Sequence, residues 1–513
     1  MLNWLKKDKV DHPLFDAKQA KAVIDQFPTN DPWQMLEDAN FWLDSVNTTE
    51  DFKLEKRFEL VSQLDDATRR ARRTLFTTYR GLGEGDKIQE KRIAKTMTEF
   101  WRLLGAGYLA CAGQAREAGN VSAAFKASLP LIAVRGMRAL REQLKWVLMR
   151  YGLARPEFWP EVAQLWTFAE AGGFDNNELE IYSGWGQTSV RGEALRVMVL
   201  WASSPDGLSP LEQDVLERLV EHLTPKFRFS LKSSGGGEHC FDLGGAHPPQ
   251  RLTPATPVTE NTRYFDVVEA HLAVQAMLTL VKDTGNAPTG IEWGEGAGIV
   301  TGAKVLKHLQ TQWAKQVPTR ASARRKTAMT LQIVHGFQNV QNAVVPDMND
   351  GLDFSEALAY DTWIAEDAST GGFGTIVPAG KGDWLKVGVL LAVRTETETS
   401  WSVGAIRRLS SDEHRQFHVG IQLIARAARL VNVRTAVTAQ QGGKHQSALM
   451  LGTGPSPSGS LHVIARSEAL DGKTAVEAIY GDPPCAINLE PAGVLEMGVD
   501  FDWLRFKVSQ ATF

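Results

Sequence analysis

The feature that most restricts this chain is a change of hydrophobic period across its middle. Up to about residue 224 the apolar positions return every three or four residues, whereas after residue 326 they alternate. A period near 3.6 gives a helix with one buried stripe, and a period of 2 gives a half-buried strand. A helical part followed by a β-rich part is therefore expected.

In the first part, Leu54, Phe58, Val61, Leu64, Ala67, Ala71, Leu75 and Tyr79 fall on one face of a long helix. Arg69, Arg70, Arg72 and Arg73 lie mostly off that face and read as a solvated surface, with an anionic partner as the alternative. Further helices are expected over 87–118, 121–151, 156–171, 189–203 and 210–223. The last opens with Ser209-Pro210-Leu211-Glu212, an N-cap serine, a proline at the first helical position and a capping-box glutamate. Short helices separated by breaks such as Gly172-Gly173 and Gly184-Trp185-Gly186 suggest a solenoid-like or bundle domain.

From residue 225 the texture is mixed. Lys226–Leu231 alternates like a strand, Cys240–Leu243 is expected to pair back on it, and a helix is expected near 264–283. Strands are expected over 328–335, 340–345, 361–366, 373–377, 385–394, 401–408, 416–425, 447–452, 461–466 and 474–480.

Composition sets the outer limits. With 513 residues, 43% hydrophobic and 23% charged, the chain reads as a soluble globular protein of about three domains, which excludes disorder, collagen and coiled coil. Cys111, Cys240 and Cys485 are too far apart for a disulfide framework or a paired metal site, and point to a reducing compartment. The N-terminal MLNWLKKDKVDHPLF lacks the apolar core of a leader. The longest aliphatic run, Val387–Val393, is far short of the roughly 20 residues that span a bilayer. A cytoplasmic protein without a transmembrane segment is expected. A net charge of −4 argues against nucleic acid as the main partner but leaves room for a local anion site.

That site is suggested by two motifs. Arg320-Ala321-Ser322-Ala323-Arg324, followed by Arg325 and Lys326, immediately precedes the first expected strand of the β-rich part. Downstream lies Asp367-Ala368-Ser369-Thr370-Gly371-Gly372. These are RxxxR and DxSxxG. In this order they resemble the signature motifs of PilZ domains, β-barrels that bind the second messenger cyclic di-GMP. The resemblance continues through Trp384–Leu390, Trp401–Arg408 and His418–Leu423, and covers about 318–425.

The residue chemistry fits that implication. Guanidinium can grip phosphate bidentately, pair with guanine O6 and N7 and stack on a purine, so Arg320 and Arg324 would close on the ligand, with Arg325 in reserve for Arg324. Asp367 can accept from guanine N1–H and N2–H; phosphate would repel it, so it is expected to face a base. Ser369 adds a hydroxyl, while Gly371 and Gly372 are expected to permit a positive-φ turn and close backbone approach. Taken singly, the arginines also read as a basic linker and DASTGG as an Asx or Ser/Thr turn without a ligand.

Other patterns carry less. Glu238-His239-Cys240 with Asp242 and His247 lacks metal-ligand spacing and reads as a turn and an edge strand. Gly294-Glu295-Gly296-Ala297-Gly298 is no dinucleotide fingerprint, and no GxSxG nucleophile elbow occurs.

The expected organisation is an α-helical domain over 1–224, a mixed connecting region over 225–317, a PilZ-type antiparallel β-barrel over 318–430 and a β-rich extension over 431–513. The resemblance implies a bacterial cyclic di-GMP receptor that is not an enzyme and uses no cofactor, and whose helical domain meets a protein partner in biofilm, motility or attachment signalling. Two alternatives stand beside it: a PilZ-like scaffold that no longer binds nucleotide, and an enzyme whose site lies within 225–317.

Overall fold

The change of period is the seam of the fold. The computed structural model describes residues 12–82, 84–235, 237–245, 247–316, 323–344, 359–378, 384–414, 416–435, 445–452, 454, 456, 459–480 and 484–509. The helical region contains α1 (Ala17–Asp25), α2 (Pro32–Thr48), α3 (Leu54–Gly81), α4 (Lys87–Ala118), α5 (Ala123–Lys126), α6 (Leu129–Leu148), α7 (Phe158–Ala171), α8 (Val190–Ala202) and α9 (Pro210–Leu223). A short ribbon of β1 (Leu179–Glu180) and β2 (Gln187–Thr188) precedes α8.

α3 carries the expected stripe, with Val61, Leu64, Ala71, Leu75 and Tyr79 buried. α9 begins with the expected capping box, in which the Ser209 N–H donates to the Glu212 carboxylate at 2.8 Å. The helix expected over 121–151 is divided into α5 and α6. Pro130 sits in the first turn of α6, where its missing N–H is tolerated; further inside a helix it would break the ladder and displace the preceding residue. α3 is the long helix expected, at 28 residues, and α4 has the expected bounds 87–118, at 32. The helices pack as a bundle in which α4 touches α2, α3, α6 and α7.

Polar chemistry organises the bundle interior. Asp65 is fully buried and accepts from Arg72 at 2.9 Å, Tyr108 at 2.8 Å and Tyr182 at 3.0 Å, with Arg135 at 3.5 Å. Arg72, expected on a solvated face, is thus turned inward by a carboxylate two helical turns before it. A second network ties Arg141 to Glu193 at 3.3 Å and Arg80 to Asp214 at 3.0 Å, joining α3, α6, α8 and α9.

Next come β3 (Arg228–Ser230), β4 (His239–Asp242), β5 (Gln250–Arg251), β6 (Thr262–Asp266), α10 (Val268–Thr284) and α11 (Ile299–Gln312). The sheet order is β3-β6-β4-β5, so β4 does not pair with β3 as expected and is not an edge. β6, with Tyr264 and Phe265 buried, takes the place between them. Phe227, Phe241, Phe265 and Trp313 share the hydrophobic core of the helices.

Two closed six-stranded antiparallel barrels follow. The first is built from β7 (Arg325–His335), β8 (Asp361–Ser369), β9 (Gly372–Val377), β10 (Leu390–Thr395), β11 (Ser402–Ser411) and β12 (Phe417–Ala425). The second uses β13 (Ala428–Thr435), β14 (Gln446–Leu451), β15 (Ser460–Arg466), β16 (Val476–Tyr480), β17 (Cys485–Met497) and β18 (Phe501–Ser509). Both rings run first-second-third-sixth-fifth-fourth strand. The β-rich extension is therefore a topological copy of the barrel before it.

Of residues 340–345, expected as a strand, 340–344 belong to helix α12 (Phe337–Val344), and 345 lies outside the described residues. Phe337, Val340 and Val344 repeat at helical spacing, and they plug an apolar seam between the barrels with Leu390, Val403, Leu449 and Phe501. No described helix is long and apolar enough to cross a membrane.

Tyr151 joins the helical region to the first barrel. Its backbone is left-handed, with φ 56°, and its ring lies in the barrel core. The hydroxyl donates to Leu208 C=O at 3.2 Å and accepts from Val387 N–H at 3.1 Å, while its own C=O accepts from Ser411 N–H at 2.9 Å. A non-glycine residue in this conformation costs about 1–3 kcal/mol and persists where its surroundings determine it. Tyr151→Phe keeps the ring but strands a buried N–H and C=O. It is expected to lower stability by about 1–3 kcal/mol in urea unfolding, with the circular dichroism spectrum unchanged.

Candidate functional site

A cleft of about 350 Å3 opens on the first barrel where β7, β8, β9, β11 and β12 meet. The β7–β8 register sets Arg325 against Ala368 and Lys326 against Asp367, which carries the end of one motif to the end of the other. Arg324 donates to Asp367 Oδ1 at 2.7 Å, with both side chains about 30% exposed. A pair this open to water contributes little stability, typically about 0–1 kcal/mol. Its guanidinium is pre-positioned yet easily diverted to a better acceptor.

Gly374 forms the floor under this pair. A Cβ there would stand 2.6 Å from Asp367 Oδ1 and 2.8 Å from Arg324 Nη1. The two glycines of the second motif differ in role. A Cβ on Gly372 would fall 1.9 Å from Ile421 C=O, so β12 can approach only a glycine. Gly371 has open space around its Cα and does not take the positive φ expected of it; its C=O accepts from Leu423 N–H at 2.9 Å. Ser369 Oγ turns back to Gly372 C=O at 3.4 Å.

Arg324, Asp367, Ser369, Gly371 and Gly372 therefore line one cleft. Arg325, exposed at the start of β7, is not among the residues that line it. Arg320 lies outside the described residues.

The cleft contains two further cations, Arg407 and Arg408. Successive strand residues ordinarily point to opposite faces. Here β11 and β12 slip register between Ile406 and Arg408, and such a bulge re-aims side chains. A second register shift, between Ala365 and Asp367, brings Glu366 to the same cleft. Arg407 donates to Gln422 at 2.7 Å and holds Glu496 of the second barrel in a bidentate pair, one arm at 2.7 Å. Arg408 pairs with Asp206 of the helical region. Burial pushes the Glu496 carboxyl up, but Arg407 and Lys304 outweigh it and hold the group below the ordinary carboxylate range.

Sequence reasoning placed these arginines in a strand without giving them a role. The one available signal was a charged doublet between Ile406 and Leu409, both buried. Chemically, the cleft offers three guanidiniums for anionic oxygens and the carboxylates of Glu366 and Asp367 for N–H donors.

Two family models match the chain: cyclic-di-GMP receptor FimW, N-terminal domain, over residues 18–234, and cyclic-di-GMP receptor FimW, middle PilZ domain, over residues 353–429. The second match takes in β8 to β12 but not β7. No curated protein matches the chain. The matching solved structures include the Borreliella burgdorferi PlzA protein in complex with c-di-GMP, at 7% identity over 36% of this chain and 88% of that one. Its TM-score is 0.12, too low to bear on the fold.

The contrast between the two glycines is testable by urea unfolding. Gly371→Ala is expected to change stability by less than about 0.5 kcal/mol, whereas Gly372→Ala must push β9 off β12 and is expected to cost more than about 2 kcal/mol.

Proposed function

From the PilZ domain present over residues 353–429, which takes in β8 to β12 of the first barrel, we propose that this chain is a receptor for cyclic di-GMP. The observation that carries the reading is the convergence of Arg324 and Asp367, from separate motifs, at the mouth of one cleft. Arg324 would turn from Asp367 to a ligand phosphate, with Arg320 of the same motif as the second cation and Arg325 as the reserve. Asp367, released, would accept from guanine N1–H and N2–H. Ser369 would supply a hydroxyl, and Gly371 and Gly372 would let the hairpin lie close against the ligand. The same reading makes the chain a binding protein with no cofactor.

Transmission would run through Arg407 and Arg408. An anionic ligand in the cleft competes for these guanidiniums with Glu496 and Asp206. Loss of either pair removes one tie of the PilZ barrel to the second barrel or to the helical region while the Tyr151 anchor and the α12 seam persist, and the population shifts toward the loosened arrangement. The helical region would then present a changed surface to a protein partner. In this division of labour, 1–224 forms the responding domain, 225–317 the connection, 318–430 the sensor and 431–513 the restraint.

Calorimetric titration with cyclic di-GMP tests the receptor. Saturable binding is expected, weakened by roughly ten- to hundredfold in Arg324→Ala; absence of heat from the intact protein rejects the reading in favour of a scaffold without nucleotide. Transmission has its own test, since linkage is reciprocal. Asp206→Asn and Glu496→Gln remove the competitors for Arg408 and Arg407 and should each tighten ligand binding, by about fivefold or more. Unchanged affinity in both variants would sink the proposed route while leaving the receptor intact.

A further inference from the structure

A second cavity, about 180 Å3, lies within the helical bundle, and no barrel residue lines it. Its cations come from two helices: Arg69, Arg72 and Arg73 on α3, and Arg138 and Lys145 on α6. Glu142 is the one carboxylate among its described lining residues. Lys145 is committed to Glu217 and lies 3.7 Å from Asp214, and Arg72 is committed to Asp65. The others are loosely held, Arg69 at 3.6 Å from Asp66 and Arg138 at 3.7 Å from Glu142. Arg73 is exposed and has no ion-pair partner among the described residues.

The remaining wall is aromatic. Arg72 stacks 4.6 Å over Trp101, Arg138 stacks 4.7 Å over Trp185, and Arg69 lies 5.2 Å over Tyr182. Stacking occupies the guanidinium faces and leaves their N–H edges for an acceptor. Arg72 Nη1 and Trp101 Nε1 have no hydrogen-bond partner, although each residue is only 6% exposed. Unpaired buried donors are rare and costly, and they ask for an explanation. Trp185, 40% exposed, stands between Gly184 and Gly186 beside this wall.

Excess positive charge, aromatic walls and orphaned donors belong to a ligand that joins an anion to a ring. We propose that this cavity is a second ligand site, distinct from the barrel cleft, that takes a compact aromatic phosphate of mononucleotide size. Arg69, Arg73 and Arg138 hold the phosphate, the unpaired Arg72 Nη1 and Trp101 Nε1 supply further donors, and the ring lies against the exposed side of Trp185. The cavity has about half the volume of the barrel cleft, so the smaller ligand, one base with one phosphate, is the one assigned to it.

GMP serves as the probe, titrated by calorimetry into the full chain carrying Arg324→Ala so that the barrel cleft is weakened. Saturable binding is expected, reduced about tenfold by Arg73→Ala and likewise by Trp185→Ala. Both substitutions are at exposed positions, and circular dichroism checks that the bundle is unchanged. Guanosine and inorganic phosphate should each bind at least about tenfold more weakly than GMP. The proposal is overturned by absence of saturable GMP binding, by equal binding of phosphate alone, or by GMP binding that neither Arg73→Ala nor Trp185→Ala weakens. Normal cyclic di-GMP binding in the wild-type chain, with no GMP binding, would defeat this site and leave the receptor reading standing.

Discussion

The coupling between the cleft and its neighbouring parts depends on one of the two register shifts in β11, the one between Ile406 and Arg408. Without the bulge before Arg408, Arg407 and Arg408 would point to opposite sides of the barrel wall. With it, both reach the cleft surface while their guanidiniums extend to Glu496 and Asp206. A guanidinium has a fixed fork of donors, so an edge given to a carboxylate is not available to a phosphate. Cleft and restraint therefore draw on the same atoms. Tyr151, buried and hydrogen-bonded on both sides of the seam, supplies a fixed point that does not depend on those arginines.

The helical region is built to resist deformation. Removing one partner from a buried ion pair typically costs about 3–5 kcal/mol, and Asp65 alone serves two arginines and two tyrosines. Such networks fix the helices in one arrangement. They also concentrate more guanidinium than carboxylate along one wall of α3 and α6, and that imbalance is what makes the bundle cavity chemically distinctive.

Local signals were legible where local chemistry decides. The start of α9 was written in Ser209, Pro210 and Glu212, the stripe of α3 in its apolar spacing, and the cleft in the order of its two motifs. Features set by distant partners were not. Arg72 turns inward because Asp65 and Tyr182 are there, and β4 finds β6 rather than β3 because the later strand brings Tyr264 and Phe265 between them. β17 contains Pro491, ordinarily a sign against a strand; it is accommodated at a register shift between Pro491 and Gly493. The role of Arg407 and Arg408 needed a bulge, hinted at only by a charged doublet between two apolar residues, and carboxylates from the second barrel and the helical region, which leave no mark in the residues around 407.

The shared ring order has a consequence for how the chain is made. In each barrel the sixth strand slots between the third and the fifth. During synthesis the edge of the third strand therefore stays unpaired until the last strand emerges: β9 waits for β12, and β15 waits for β18. An open edge invites pairing with another chain, so the nascent protein is most exposed to misassociation in these two intervals. Glu496 lies on β17, after the whole first barrel has been made. The cleft is thus complete before the residue that restrains it exists, and a newly made chain passes through a stage in which Arg407 is open to the first anion it meets.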